Sequence, residues 1–384
     1  MKKKNGWMKI LIIFPPLLFV LLAGWIAINR WNGNTKGMET ETETAPAPAS
    51  PTDPIKILSE PEILEEAEQY PIRLLFAGDI LLSDYVTQAY DKAGGIDGVL
   101  DGGFQSEISQ ADIFMANEEF PFSDRGAAAK DKQFTFRLPL SRVSIMNDIG
   151  VDIVSLANNH SLDFGTDALA DTCTALDKAG ILYVGAGPDM DRARQLQTME
   201  AGGKTVGFLA ASRVYPDPGW VAAGRKPGMV SGYDPTILLE EIEKAREICD
   251  YLVVYVHWGI ERDEKPQEYQ RALGKKLIDA GADLVIGSHP HVLQGIEYYN
   301  GKPICYSLGN FIFGSSIPKT GLLRADVDFE KDSTVLSLVP GTSKSGYTRA
   351  LTDPGEIQKF YQYIQGISFG VSVDENGVIH SAEN

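Results

Sequence analysis

The sequence predicts an α/β fold. Short apolar runs alternate with amphipathic segments between residues 72 and 310. Most of the runs are continuous rather than alternating, as in strands covered on both faces. Each run stops on glycine or a polar residue, as parallel strands do where they open onto a crevice.

In chain order the expected strands are "IRLLFAG" (72–78), "DIFMAN" (112–117), "VDIVSLAN" (151–158), "ILYVGAG" (181–187), "KTVGFLAA" (204–211), "YLVVYVHWG" (251–259), "ADLVIGSH" (282–289) and "KPICYSLGN" (302–310). Helices are expected between them. "TDALADTCTALDKAG" (166–180) opens on a threonine cap and closes on glycine. "PTILLEEIEKAREIC" (235–249) and "PQEYQRALGKKLIDAG" (266–281) open with proline in the first turn. A β-hairpin follows Leu322, and "DPGEIQKFYQYIQGIS" (353–368) reads as a late helix.

The chain has 384 residues and a formal net charge of −17. That charge argues against a nucleic-acid partner, and it would repel an acidic polymer unless cations intervene. The N-terminal stretch "MKKKNGWMK" precedes an uncharged apolar run over residues 10–28. Its length suits a bilayer crossing, and the lysines before it place the following chain outside. The competing reading is a cleaved signal peptide. No A-x-A site follows the run, and "LLAGW" has Trp25 where a lipobox needs cysteine. The expected location is therefore the cell membrane, single-pass, with an extracytoplasmic domain. Residues 34–54, rich in Thr, Glu, Pro and Ala, read as a disordered spacer. The three cysteines, Cys173, Cys249 and Cys305, are far apart in apolar surroundings and read as buried free thiols.

Four of the five histidines fall at strand ends. Asp79 follows the first run, and Asn117, Glu118 and Glu119 the second. Asn158, Asn159, His160 and Asp163 follow the third. His257, Trp258 and Glu261 end another run, His289 and His291 the next, and Ser307 and Asn310 the last. Imidazole with carboxylate and amide oxygen makes a mixed metal site. At i and i+2 in extended backbone, His289 and His291 point to one face, stiffened by Pro290. Asp79 or Glu119 can bridge two cations. Singly, each piece has a plainer meaning. His257 reads as a hydrogen-bonded core histidine, Asp163 as a turn former, Glu118 and Glu119 as solvated charges, and Trp258, Phe311 and Phe313 as packing. The joint pattern favours a site. Asn158, Trp258, Glu261, Ser307 and Asn310 are the candidates for its substrate side.

"FAGDILL", "NEEFP", "LANNHSLDFG", "VHWGIE", "GSHPHVLQG" and "YSLGNFIF" together resemble, in order over about residues 72–315, the CapA family of bacterial poly-γ-glutamate capsule biosynthesis proteins. That family is similar in turn to calcineurin-like metallophosphoesterases. Asp79 matches their first aspartate, Asn159 and His160 their Asn-His, His257 their lone histidine, and His289 and His291 their His-x-His. Glu119 stands near their bridging aspartate. Leu81 stands where their first motif has a histidine, which removes one ligand, and Glu118 replaces a leucine of the CapA pattern.

The resemblance implies a metallophosphatase-like layered α/β/β/α sandwich over residues 71–370, after an N-terminal transmembrane helix (1–32) and a linker (33–70). A C-terminal tail (371–384) would follow, in which His380 has no assigned role. Asp79, Glu119, Asn159, His257, His289 and His291 would hold one or two divalent ions (Zn, Mn or Fe). His160 would be the general acid, oriented by Asp163, and that pairing would raise its pKa. The implied partners are an anionic polymer such as poly-γ-glutamate, the membrane and other capsule-synthesis membrane proteins. The implied role is polymer biosynthesis or export with a metal-dependent hydrolase site. The alternative is a non-catalytic assembly or polymer-binding component.

Overall fold

The computed structural model describes residues 71–314 and 316–382. Its fold is mixed α/β, built on two main sheets. In the first, neighbouring strands run in the order Val371–Val373, Val378–Ser381, Ser333–Lys344, Ser316–Asp328, Ile72–Ile80, Ile113–Glu118, Ile153–Ser155 and Leu182–Val184. Asn310–Ile312 also pairs with Ile72–Ile80, and Tyr347–Ala350 with Ser333–Lys344. The second sheet runs Ile296–Tyr299, Lys302–Cys305, Leu284–Ser288, Tyr251–His257, Lys204–Ser212 and Gln197–Ala201. The first sheet holds five neighbouring parallel strands, Asn310–Ile312 among them, and the second holds four, so within each sheet these C-terminal ends share one edge.

Alternation along Tyr251–His257 explains how the layers meet. Tyr251, Val253 and Tyr255 join one core with the first sheet. Leu252, Val254 and Val256 join a second core with Leu238 and Ile242 of the helix Thr236–Ala245 and with Leu273 and Leu277 of the helix Glu268–Ala280. Successive side chains of a strand face opposite ways. His257 therefore belongs to the side that faces the first sheet, and Trp258 to the helical side. The Tyr255 hydroxyl donates to Ala77 O at 2.9 Å, tying the sheets together next to the crevice.

Several expectations need correction. Gly165, not Thr166, is the N-cap of the helix Thr166–Ala179. Pro235 is itself an N-cap, and Pro266 precedes the N-cap Gln267, so neither proline occupies the first turn. Helix Thr236–Ala245 stops before the expected Cys249. The expected strand over 151–158 is only Ile153–Ser155, because the chain leaves the ladder to form the Asn-Asn-His turn. The expected C-terminal tail is corrected over its described residues, 371–382: Val371–Val373 and Val378–Ser381 add two strands to the first sheet. The late helix (Pro354–Ile367) forms where expected, and the hairpin forms (Ser316–Asp328 with Ser333–Lys344) but begins at Ser316, ahead of the expected Leu322.

The expected single-pass membrane location is also corrected. Among the described residues, no helix is long and apolar enough to cross a membrane. The apolar run 10–28, the spacer 34–54 and the segments 1–32 and 33–70 lie outside the described residues.

Candidate metal centre

The strand ends deliver the site. Asp79 is in register with Asn117 on one side and Asn310 on the other. Asn117 Nδ2 donates to Asp79 Oδ1 at 2.8 Å. Asn158 Nδ2 donates to Asn117 Oδ1 (3.0 Å) and Glu118 O (2.7 Å), and Asn158 Oδ1 accepts the His160 amide at 2.9 Å. Asn158 thus braces the turn that presents Asn159 and His160. The loop carrying Asn310 lies tight on the first strand. Gly309 O accepts the Asp79 amide at 2.8 Å, and a Cβ on Gly78 would sit 1.8 Å from that same oxygen.

Two ligand triads result. Asp79, Glu119 and His257 form one, and Glu119, His289 and His291 the other; within each, one ligand atom per residue lies within 4.8 Å of the others. Glu119 is common to both. His257 Nε2 lies 2.7 Å from Asn159 Oδ1, 3.1 Å from His289 Nδ1 and 3.7 Å from Glu119 Oε1. Its Nδ1 meets Ser288 Oγ at 2.9 Å, which orients the ring. His291 Nδ1 lies 2.8 Å from Asn310 Oδ1 and 3.4 Å from Asp79 Oδ2. Both oxygens of Glu119 are buried without a hydrogen-bond partner. Leaving a buried carboxylate unpaired is costly. Convergent imidazole nitrogens and carboxylate oxygens around it make a donor set that fits a divalent cation.

The protonation equilibria point the same way. Burial, with the Asp79 charge adding, pushes the Glu119 carboxyl well above its usual range. Burial holds His257 well below the ordinary imidazole value. It also takes His289 down to about 3, with the His291 charge contributing. At His291 burial is the largest single influence and lowers the pKa. Glu119, Asp79 and Asn310 together outweigh it and bring His291 to about 10. His257 and His289 stay neutral as ligands require, while His291 has to give up its proton to join them.

His160 sits beside this set. Its Nδ1 lies 2.7 Å from Asp163 Oδ2, and Phe136 packs on its ring at 4.5 Å. The sequence reading missed Lys132. Its ammonium donates to Asn159 O and Asp163 Oδ1 and lies 3.0 Å from His160 Nδ1, with the Trp220 ring 5.2 Å away. No strand end announces it; the only signal was the length of the loop that carries it, residues 119–139. The expected rise in the His160 pKa is overturned. Burial lowers it, and Asp163 only partly offsets that.

The proposed substrate side divides. Asn310 reaches the centre through His291. Asn158 is used up as a brace. Trp258 is buried in the helical core and donates to Tyr306 O at 2.8 Å, so no substrate reaches it. Ser307 Oγ donates to Val292 O at 2.8 Å and holds its own loop. Glu261 is exposed, and its charge is felt by Lys132. His289 and His291 converge as expected but not through extended backbone: φ is +98° and +57°. Those values are uncommon outside glycine, and strain of this kind persists where surroundings over-determine it. Leu81 is buried, two residues beyond Asp79.

A family model described as bacterial capsule synthesis protein PGA_cap matches residues 73–315. The PGA biosynthesis protein CapA of Bacillus subtilis (strain 168) is 34% identical over 250 residues, covering 64% of this chain and 64% of that protein. The capsule biosynthesis protein CapA of Bacillus anthracis is 29% identical over 314 residues, covering 78% and 74%. Among solved structures, the NAD nucleotidase of Haemophilus influenzae aligns with a TM-score of 0.42 at 11% identity, over 79% of this chain and 64% of that one. A likeness at that level says nothing of chemistry.

Proposed function

The chain belongs to the bacterial capsule synthesis protein PGA_cap family, and from that premise we propose that it is a metal-dependent hydrolase of an anionic envelope polymer of the poly-γ-glutamate kind, with a metallophosphatase-like site. The observation that carries this reading is Glu119, a buried carboxylate without a hydrogen-bond partner that belongs to both ligand triads. Asp79, Glu119, Asn159, His257, His289 and His291 would hold one or two divalent ions. A bound cation of this type lowers the pKa of water and polarises the oxygen of the bond to be cleaved. His160 would deliver a proton to the leaving group, with Asp163 accepting from Nδ1 to fix the ring and Lys132 holding Asp163 in place. Phe136, packed on that ring, limits the access of water to it.

The test uses the full-length chain loaded in turn with Zn, Mn and Fe. Metal content is measured, and γ-glutamyl amides and phosphodiesters are offered as substrates. Metal-dependent cleavage of either class is expected. Bound metal with no cleavage of any substrate would replace the hydrolase by the non-catalytic polymer-binding component. Absence of bound metal would remove both the centre and its chemistry.

A further inference from the structure

A groove of about 660 Å³ adjoins the metal centre. That volume is in the range of small-ligand sites, about 300–1,000 Å³. Two of its walls touch the centre directly. The Phe136 ring lies 4.5 Å from His160, and the Phe313 ring 5.2 Å from His291. Leu81 lines it two residues beyond Asp79, so this side chain builds the groove rather than the ligand set. Two rings on the same segments, Tyr85 and Phe134, are 58% and 60% exposed. Clustered apolar rings left in water mark a binding surface.

Its polar groups are unequal. Arg142 is already matched by Asp91, with contacts of 2.5 and 2.7 Å. Arg137 lies over the Phe164 ring at 4.1 Å and donates to Arg125 O at 2.8 Å, yet it forms no ion pair among the described residues. Ser83 also lines the groove, and its hydroxyl is buried without a hydrogen-bond partner. Ser83 is the N-cap residue of the helix Asp84–Ala93, but its side chain makes no capping hydrogen bond. The groove therefore combines apolar walls, one guanidinium without a carboxylate and one unused hydroxyl. Asp84, also on the lining, disfavours an anion at its own end.

We infer that this groove is the subsite that holds the polymer against the metal centre, seating its methylene segments on Leu81, Phe134, Phe136 and Phe313 and one carboxylate on Arg137, with Ser83 on the linking amide. A γ-linked glutamate chain alternates these groups along its main chain: two methylenes, an amide, and a carbon bearing a carboxylate. An α-linked chain puts its methylenes and carboxylate out on side chains and does not match the order. The inference rests on the reading of the centre as acting on an anionic polymer, and it is tested by binding rather than by turnover.

The experiment is calorimetric titration of the full-length chain with γ-linked hexaglutamate, α-linked hexaglutamate and the γ-linked methyl ester. The γ-linked acid should bind tightest. Arg137→Gln should weaken it about ten-fold or more, because a charge-assisted pair is lost. Phe134→Ala should weaken it severalfold. Both residues are exposed, so neither change threatens the fold, and metal content should stay at the wild-type level. Wild-type affinity in both variants would overturn the subsite. So would equal affinity for the γ- and α-linked acids, or no binding of either. If binding falls as expected while no substrate is ever cleaved, the subsite stands and the hydrolase reading falls.

Discussion

Glu118 and Glu119 are consecutive, both are fully buried, and neither carboxylate has a hydrogen-bond partner. Burial raises the pKa of both. They leave the first sheet on opposite sides, as neighbours in extended chain must. Glu119 enters a set with Asp79, His257, His289 and His291. Glu118 turns towards the helix Thr166–Ala179. There burial foremost, with Glu118 among lesser contributors, raises the Cys173 thiol to about 12. An orphaned carboxylate is thus a candidate ligand on one face and a cost on the other. The surroundings decide, since imidazole nitrogens converge on only one of the two.

Removing each group in turn separates the two carboxylates. Glu119→Gln has the largest expected effect. It takes a ligand from both triads at once, so metal affinity should fall at least about 100-fold, beyond what loss of a group behind a ligand costs. Metal analysis after dialysis checks it, and a fully loaded variant would end the bridging role. His160→Asn comes next. Metal content should be unchanged while turnover falls about 10²–10⁴-fold. Loss of metal in this variant would make His160 a ligand instead.

Glu118→Leu should work in the opposite direction and stabilise the fold by about 1–3 kcal/mol at pH 8, the cost of an unsatisfied buried polar group. The sign follows from linkage. A carboxyl whose folded pKa is raised favours the folded state below its unfolded pKa, and that advantage is lost as pH rises through the folded value. The stabilisation should therefore be large at pH 8 and shrink towards pH 4.5, as urea titrations at the two pH values would read. An equal gain at both would mean that the carboxyl does not titrate on unfolding. The smallest effect concerns His160 as an acid. Activity should decline as pH rises, with a midpoint below the ordinary imidazole value near 6.5, because burial lowers this pKa. A midpoint above 7 would restore the carboxylate as the stronger influence.

Much of the candidate site was legible because continuous apolar runs end on the polar residues that the fold brings together. Asp79, Glu119, His257, His289 and His291 were all found that way. Trp258 was misassigned although the two-residue period contains the answer: if His257 faces the other sheet, its neighbour faces the helices. Lys132 was not legible, because its partners Asn159, His160 and Asp163 lie 27 to 31 positions away and no local pattern connects them. Extended geometry was assumed at His289 and His291, and only the tertiary surroundings impose positive φ there. The strands Val371–Val373 and Val378–Ser381 were missed because each is short and only partly covered, with little apolar signal.

The contact that brings the His289 amide to Asp79, at 3.4 Å, spans 210 positions of chain. At a synthesis rate of about 5–20 residues per second, Asp79 leaves the ribosome roughly 10–40 s before its partner. For that interval the two acidic residues exist without the imidazoles that answer them, and closing so long a loop is among the slow steps of folding. On the proposed reading of the centre, metal capture is a late event in the life of each molecule, and it would certify that the chain up to the Asn310 loop has arrived and seated against Gly78.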